Sequence, residues 1–281
     1  MATLHTTQTP NSRLGVLKNL LAGPHGPGSR IFEELAKFSN DYTYWKEDFD
    51  GPIANAVGAA ERITYVESAA GPVDVAKLTP TAAKTSYAQL DIGVTDNAQA
   101  NLLVAKQFAA KLQPFWSMRW QHSVAFAVNT VENFFGFCDA VPGSAAVILG
   151  DIDTPTFAAC IADAAGFAID TDQTLLTTAV QTIGTTTTVG KTTITGSGLT
   201  IPAIDTDVIY RMELRSPTAD SSVSTCYAFV DNNLVANRAG PDAEKLMSLV
   251  FQFGNRVNGQ GDVYQIDYIE WGQEKSGAPF L

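Results

Sequence analysis

The stretch Phe115-Trp-Ser-Met-Arg-Trp-Gln-His122 changes character at every second position. In an extended chain Trp116, Met118, Trp120 and His122 fall on one face, and Phe115, Ser117, Arg119 and Gln121 on the other. Near the end, Val263-Tyr-Gln-Ile-Asp-Tyr-Ile-Glu-Trp271 has the same texture. There Val263, Gln265, Asp267, Ile269 and Trp271 alternate with Tyr264, Ile266, Tyr268 and Glu270. Both faces of each stretch are partly apolar, which suits strands in the middle of a layered β-sandwich.

Working outward, the spacing predicts further strands over 42–49, 61–67, 87–94, 100–108, 132–139, 145–152, 166–170, 175–183, 185–195, 208–215, 222–230 and 246–253. The first strong stretch extends in this reading to residue 128. Gly71-Pro72 and Thr79-Pro80 read as turns, and Asp231-Asn-Asn233 as the turn of a hairpin. Helix candidates are few: one turn over 242–246 and an Ala-rich stretch over 157–165. Many short strands between Gly, Pro, Asn and Asp turns predict an all-β sandwich over residues 42–281, its jelly-roll core over about 85–281.

Residues 1–41 read instead as an N-terminal arm with two short helices. Leu14, Leu17, Leu20 and Leu21 form one apolar stripe; Ser29 caps a second helix whose Phe32, Leu35 and Phe38 share a side. Gly23-Pro-His-Gly-Pro-Gly28 separates the two. Helices this short are marginal in water and need a surface, either their own sandwich or a neighbouring subunit. These seven residues are the candidate contacts with a partner.

The composition removes several function classes. The 281 residues hold 18 Lys+Arg against 29 Asp+Glu, a net charge of −11. Nucleic acid is thereby disfavoured as a partner, since backbone binding needs a Lys/Arg stripe. Only 17% of residues are charged, against about 25% in ordinary soluble domains; 29 Thr and 22 Gly take up part of the difference. No Lys or Arg lies between Arg119 and Lys191, a span holding Glu132, Asp139, Asp151, Asp153, Asp163, Asp170 and Asp172. That span reads as a solvated acidic surface, or as one that meets a basic partner or a cation. Cys138, Cys160 and Cys226 are too few and too widely spaced for a disulfide framework or a zinc site, and read as buried free thiols. No secretory pattern opens the sequence and no run reaches the length of a membrane span, so assembly in a cytoplasm, away from membranes, is expected.

Catalytic chemistry is poorly represented. Gly184-Thr-Thr-Thr-Thr-Val-Gly190-Lys191-Thr192 has five residues between its glycines where a phosphate loop has four, and a strand-like Thr192-Thr-Ile-Thr195 follows it. His5 and His25 fall in the arm. His122 alternates with aromatic residues and reads as a packed strand residue. Asp267 and Glu270, three apart on a strand, should point to opposite faces and so cannot flank one sugar bond. Asp151-Ile-Asp153 and Asp170-Thr-Asp172 put two carboxylates on one side of a strand end, as a hard-cation site or an Asp-rich turn would. The expectation is no enzyme, no cofactor and no resident metal.

The order of segments is itself informative. Phe115-Trp-Ser-Met-Arg119 is followed by Asn133-Phe-Phe-Gly-Phe-Cys-Asp139, Gly166-Phe-Ala-Ile-Asp-Thr-Asp172 and Val208-Ile-Tyr-Arg-Met-Glu-Leu-Arg215. The hairpin Cys226-Tyr-Ala-Phe-Val-Asp-Asn-Asn-Leu-Val-Ala236 and the closing strand 263–271 complete it. This succession resembles the concanavalin A-like (laminin-G-like) jelly rolls, in particular those among tailed-bacteriophage structural proteins. The resemblance implies a virion protein: a capsid decoration (cement) protein on the outer capsid surface, with the major capsid protein and its own copies, as a trimer, for partners. The alternative that it implies is a carbohydrate-binding or host-receptor-binding virion protein with a lectin-like jelly roll.

Overall fold

The computed structural model describes residues 42–48, 63–67, 79–80, 87–92, 98–123, 131–139, 163–170, 177–181, 202–217, 222–255 and 263–274. They form fourteen strands. In chain order these are β1 (Tyr42–Glu47), β2 (Thr64–Glu67), β3 (Thr79–Pro80), β4 (Ala88–Asp91), β5 (Gln99–Phe108), β6 (Phe115–His122) and β7 (Glu132–Cys138). Then follow β8 (Ala164–Asp170), β9 (Thr177–Gln181), β10 (Val208–Arg215), β11 (Thr225–Val230), β12 (Asn233–Ala239), β13 (Met247–Gly254) and β14 (Val263–Glu274). One 3-10 turn, Ala110–Leu112, precedes β6.

Two antiparallel sheets result. The larger runs β12-β11-β10-β6-β14-β4-β3, with β1 also on β14; the smaller runs β2-β5-β13-β7-β8-β9. Strands distant in sequence lie side by side, as jelly-roll connections require. The described part of the chain is therefore the all-β, two-sheet sandwich that the sequence predicts, and strands from residue 42 onward belong to it. The arm, 1–41, lies outside the described residues, as do the stretches 145–152 and 185–195. Three local expectations fail. The Ala-rich helix candidate 157–165 ends in the first two residues of β8, its residues 157–162 lying outside the described ones. Thr79-Pro80 is a short strand on β4, and 242–246 is a turn without a helix.

The core forms where inward residues of the sheets meet. Trp116, Met118 and Trp120 of β6, Tyr210 and Met212 of β10, and Ile269 and Trp271 of β14 pack against Phe135 and Phe137 of β7, Phe167 of β8, and Phe251 and Phe253 of β13. Trp116 stands edge-on to Phe251 at 5.1 Å between centroids, and Trp120 edge-on to Phe135 at 5.3 Å. Such contacts add to what burial of the rings already contributes. Strands β7 and β13 are buried at every residue, which is why ENFFGFC and MSLVFQFG read as nearly continuous apolar runs. Between β7 and β8, Gly136 faces Gly166. A Cβ on Gly136 would collide with the Ala165 carbonyl, so only glycine permits this approach.

The acidic span between Arg119 and Lys191 is not simply a solvated surface. Of its carboxylates among the residues with described burial, Glu132, Asp139 and Asp163 are all buried. Asp163, just before β8, is 2% exposed. Its Oδ1 accepts the Asp242 backbone N–H at 3.1 Å, and Lys245 Nζ lies 3.7 Å from Asp139 and 4.0 Å from Asp163. Burial raises the Asp163 carboxyl above its ordinary value; the Asp242 N–H and Lys245 oppose this, and Asp139 adds to it. A carboxyl raised in the fold costs stability once ionised, and the cost disappears as pH falls below its unfolded value, about 4. Asp163→Asn is therefore expected to match or exceed the native protein in urea midpoint at neutral pH. That advantage should vanish towards pH 4; a variant less stable at neutral pH would contradict it.

Candidate functional site

The larger sheet turns its other face away from the core, and register places the chemistry there. Antiparallel partners share a face, so one row across it reads Phe229, Arg211, Ser117, Glu270 and Lys46. A neighbouring row reads Tyr227, Glu213, Phe115, Gly272 and Tyr44. Beyond these stand Arg119 beside Tyr268, and Gln121 beside Gln265. Phe115, Ser117, Arg119 and Gln121 of β6 thus share one face, as alternation predicts; it is the face turned away from the core, and on it only Arg119 is not buried.

Strand β14 departs from alternation. Ile266 pairs with Trp120 and Tyr268 with Arg119, so Asp267 is one residue extra, a β-bulge. Before it Tyr264 and Ile266 point inward; after it Ile269 and Trp271 do. The expectation that Asp267 and Glu270 point to opposite faces is overturned. Asp267 Oδ2 accepts from Arg119 at 3.1 Å, and Glu270 Oε2 accepts from the Tyr44 hydroxyl at 2.7 Å, both on the outer face. No sequence signal marks the bulge beyond the conflict itself, since strict alternation would expose Trp271 or Tyr264.

Two polar clusters stand on this face. In the more open one, Arg119 donates to Asp207 at 2.6 Å and to Asp267 at 3.1 Å, and the Tyr87 hydroxyl donates to both Asp207 oxygens, at 3.0 and 2.8 Å. Four elements contribute: the starts of β4 and β10, the middle of β6 and the bulge of β14. Burial, with the hydrogen bond to Asp207 behind it, pushes the Tyr87 phenol up to about 12. Burial also lifts the Asp267 carboxyl against the pull of Arg119. Beside the cluster, Lys46 Nζ sits 5.2 Å from the centre of the half-buried Tyr268 ring.

The second cluster is a floor. Arg211 and Arg215 both donate to Glu213, the latter at 2.8 Å to Oε2, and Arg211 and Glu213 are buried. Burial alone would raise Glu213; the two guanidiniums outweigh it and hold the carboxyl below its ordinary range. Arg211 lies 5.1 Å from the Phe229 ring centre and Arg215 5.7 Å from that of Tyr227. An ionised carboxylate so clamped is an acceptor or charge anchor, not a proton donor at neutral pH.

Residues singled out by sequence fare differently. His122 is buried and its Nε2 lies 2.8 Å from the Pro202 carbonyl, so it is a packed strand residue that pins the segment before β10. Cys138 and Cys226 are buried free thiols, and burial pushes Cys226 up to about 12. Trp116, Trp120 and Trp271 are core; Trp45 stacks on Trp271 at 6.2 Å. Leu14, Leu17, Leu20, Leu21, Phe32, Leu35 and Phe38 lie outside the described residues, with His5, His25, Cys160, Asp151, Asp153, Asp172 and the stretch 184–192. Among the described residues no group of three or more His, Cys, Asp or Glu is placed to hold a metal ion.

No family model matches the chain, and no curated protein matches it in sequence. Solved structures do. The carbohydrate recognition domain of Emp47p aligns with 84% of this chain and 96% of its own, with a TM-score of 0.51 at 13% identity. That of Emp46p, in its metal-free form, aligns with 75% of this chain and 87% of its own, with a TM-score of 0.51 at 10% identity. The fold is the concanavalin A-like jelly roll. Peanut lectin is similar in outline, with a TM-score of 0.46 at 11% identity over 82% of this chain and 97% of its own. At these identities the likeness is one of architecture, and function rests on the site itself.

The bulge yields a direct expectation. Deleting Asp267 restores strict pairing and turns either Tyr264 and Ile266 or Ile269 and Trp271 out of the core. The deletion should abolish cooperative urea unfolding and the near-ultraviolet dichroism of the buried tryptophans. Asp267→Ala, which keeps the extra residue, should retain both.

Proposed function

We propose that the protein binds glycans on the outer face of its larger sheet, across Tyr44, Lys46, Arg119, Asp207, Asp267 and Tyr268. The observation that carries this reading is the partly exposed group in which Arg119 is paired with Asp207 and Asp267 beside the half-buried Tyr268 and Tyr44 rings, on strands held in a rigid ladder. Sugars present apolar C–H faces and hydroxyls that both donate and accept. A fixed array of rings and bidentate polar groups, set on strands and not on loops, complements both without reorganisation. The architectural likeness to carbohydrate recognition domains supports the reading as an analogy. Binding fits this face better than cleavage, because Glu213 is clamped by two arginines and Asp267 is paired with Arg119.

Titration of the full-length protein against a panel of soluble oligosaccharides tests this. One or more should bind, and Tyr268→Ala and Arg119→Ala should each weaken binding about tenfold or more with a near-native urea midpoint. Absence of binding across the panel, or full binding by both variants, would refute it.

Attachment to a phage capsid is a second proposal, carried by the ordered succession of segments from Phe115 to Trp271. The stripe Leu14, Leu17, Leu20 and Leu21 and the patch Phe32, Leu35 and Phe38 would make the contact with the major capsid protein, and multivalency on a repeating shell would raise a modest affinity. The protein should then sediment with capsids, and lose that property when residues 1–41 are removed.

A further inference from the structure

The glycan-binding reading leaves open what kind of glycan this face accepts, and the arrangement of its charges bears on that. Each arginine on the face meets a carboxylate of the same face. Arg119 lies between Asp207 and Asp267, while Arg211 and Arg215 share Glu213. Lys46 stands opposite Glu270 in register and over the Tyr268 ring. Four cations thus face four carboxylates, and Asp91 on β4 and Glu274 on β14 add further negative charge at the margin. The chain as a whole carries −11.

From this we infer that the face selects uncharged glycans and rejects acidic ones, with Asp207 and Asp267 as the specificity-determining residues. Recognition of a uronate or sulfate would use a guanidinium fork bidentately. Arg119 is the most open guanidinium of the face, its side chain 39% exposed, and its fork is already spent on two carboxylates. An incoming anion would have to displace Asp207 or Asp267 and leave that carboxylate beside it, a like-charge juxtaposition that discriminates against wrong partners. A neutral sugar meets no such opposition. Its hydroxyls can donate to the Asp207 and Asp267 oxygens while the ion pairs stay intact. Because a neutral glycan carries no charge for salt to screen, its binding should be nearly independent of salt.

The inference rests on the proposed function and is tested by native affinity electrophoresis of the full-length protein. The gels would contain neutral polysaccharides (glucan, mannan, galactan and xylan, one per gel) or alginate. At least one neutral polymer should retard the protein, equally at about 0.02 and 0.3 M salt. Alginate should retard it at least about tenfold less. Asp207→Asn/Asp267→Asn, which frees the Arg119 fork, should gain retardation by alginate, and the gain should disappear at the higher salt. Retardation of the native protein by alginate as strong as by any neutral polymer would overturn the inference and leave glycan binding standing. Salt-sensitive binding of the neutral polymer would overturn it even if the double variant does not fold. Retardation by none of the polymers would remove both readings together.

Discussion

Strand β14 joins the larger sheet together, and one extra residue in it decides what each side of that sheet is made of. Its first four residues, Val263 to Ile266, pair with β4, and those from Ile269 onward pair with β1, while β6 runs along its other edge. The bulge at Asp267 lies where the outer partner changes. A regular strand of this sequence could bury Tyr264 and Ile266 or Ile269 and Trp271, but not all four. With the bulge all four are inside, and Gln265, Tyr268 and Glu270 share the outer face with Asp267. Core and site therefore depend on the same backbone irregularity. The local disruption of the ladder is offset by keeping a tryptophan and an isoleucine in the apolar core that would otherwise stand among the polar and charged groups of the other face.

Regular strands were legible because their two faces differ. Strand β10 runs over Val208–Arg215, the span that its alternation predicts, with Val208, Tyr210, Met212 and Leu214 inside and Arg211, Glu213 and Arg215 outside. Strand β6 follows the same logic, although alternation carries its reading past His122 where the described strand stops. The β11–β12 turn was visible as Asp231-Asn232-Asn233 without glycine. Asp231 and Asn232 adopt φ of 49° and 65°, and the Asp231 carboxylate accepts the Ile209 N–H at 2.9 Å. Asn and Asp tolerate this left-handed region better than other non-glycine residues, which is how a hairpin forms here.

What pattern could not reveal is anything set by contact between distant strands. Asp207, Arg119, Asp267 and Tyr87 are separated by up to 180 positions, 87 to 267, and nothing local in the sequence joins them. The charge deficit was visible, but its placement was not: a span without Lys or Arg looked like solvated surface, yet Asp139 and Asp163 are buried at the end of the smaller sheet. Period-2 reading also assumes that no residue is extra, so it placed Asp267 and Glu270 on opposite faces. A carboxylate in a strand whose neighbours at i−1, i−3, i+2 and i+4 are all large and apolar is itself a reason to suspect a bulge, because no single face accommodates that set.

The low charge of the chain and the crowding of its outer sheet face are two sides of one constraint. With few charged residues, 17% of the chain, a polar sheet face can be kept neutral only by pairing its arginines locally. The larger sheet does this within strands, Arg211 and Arg215 about Glu213, and between them, Arg119 about Asp207 and Asp267. The half-exposed pairs about Arg119 contribute little to stability after solvent screening, whereas Arg211 and Glu213 are buried. Their consequence is geometric: each guanidinium and carboxylate is held in one orientation by its partner, on strands whose inner faces are locked by the tryptophan core. A face organised in this way offers fixed hydrogen-bonding directions, with each arginine matched by a carboxylate. Under the proposed glycan binding, that combination would favour ligands recognised by shape and hydroxyl pattern over ligands recognised by charge.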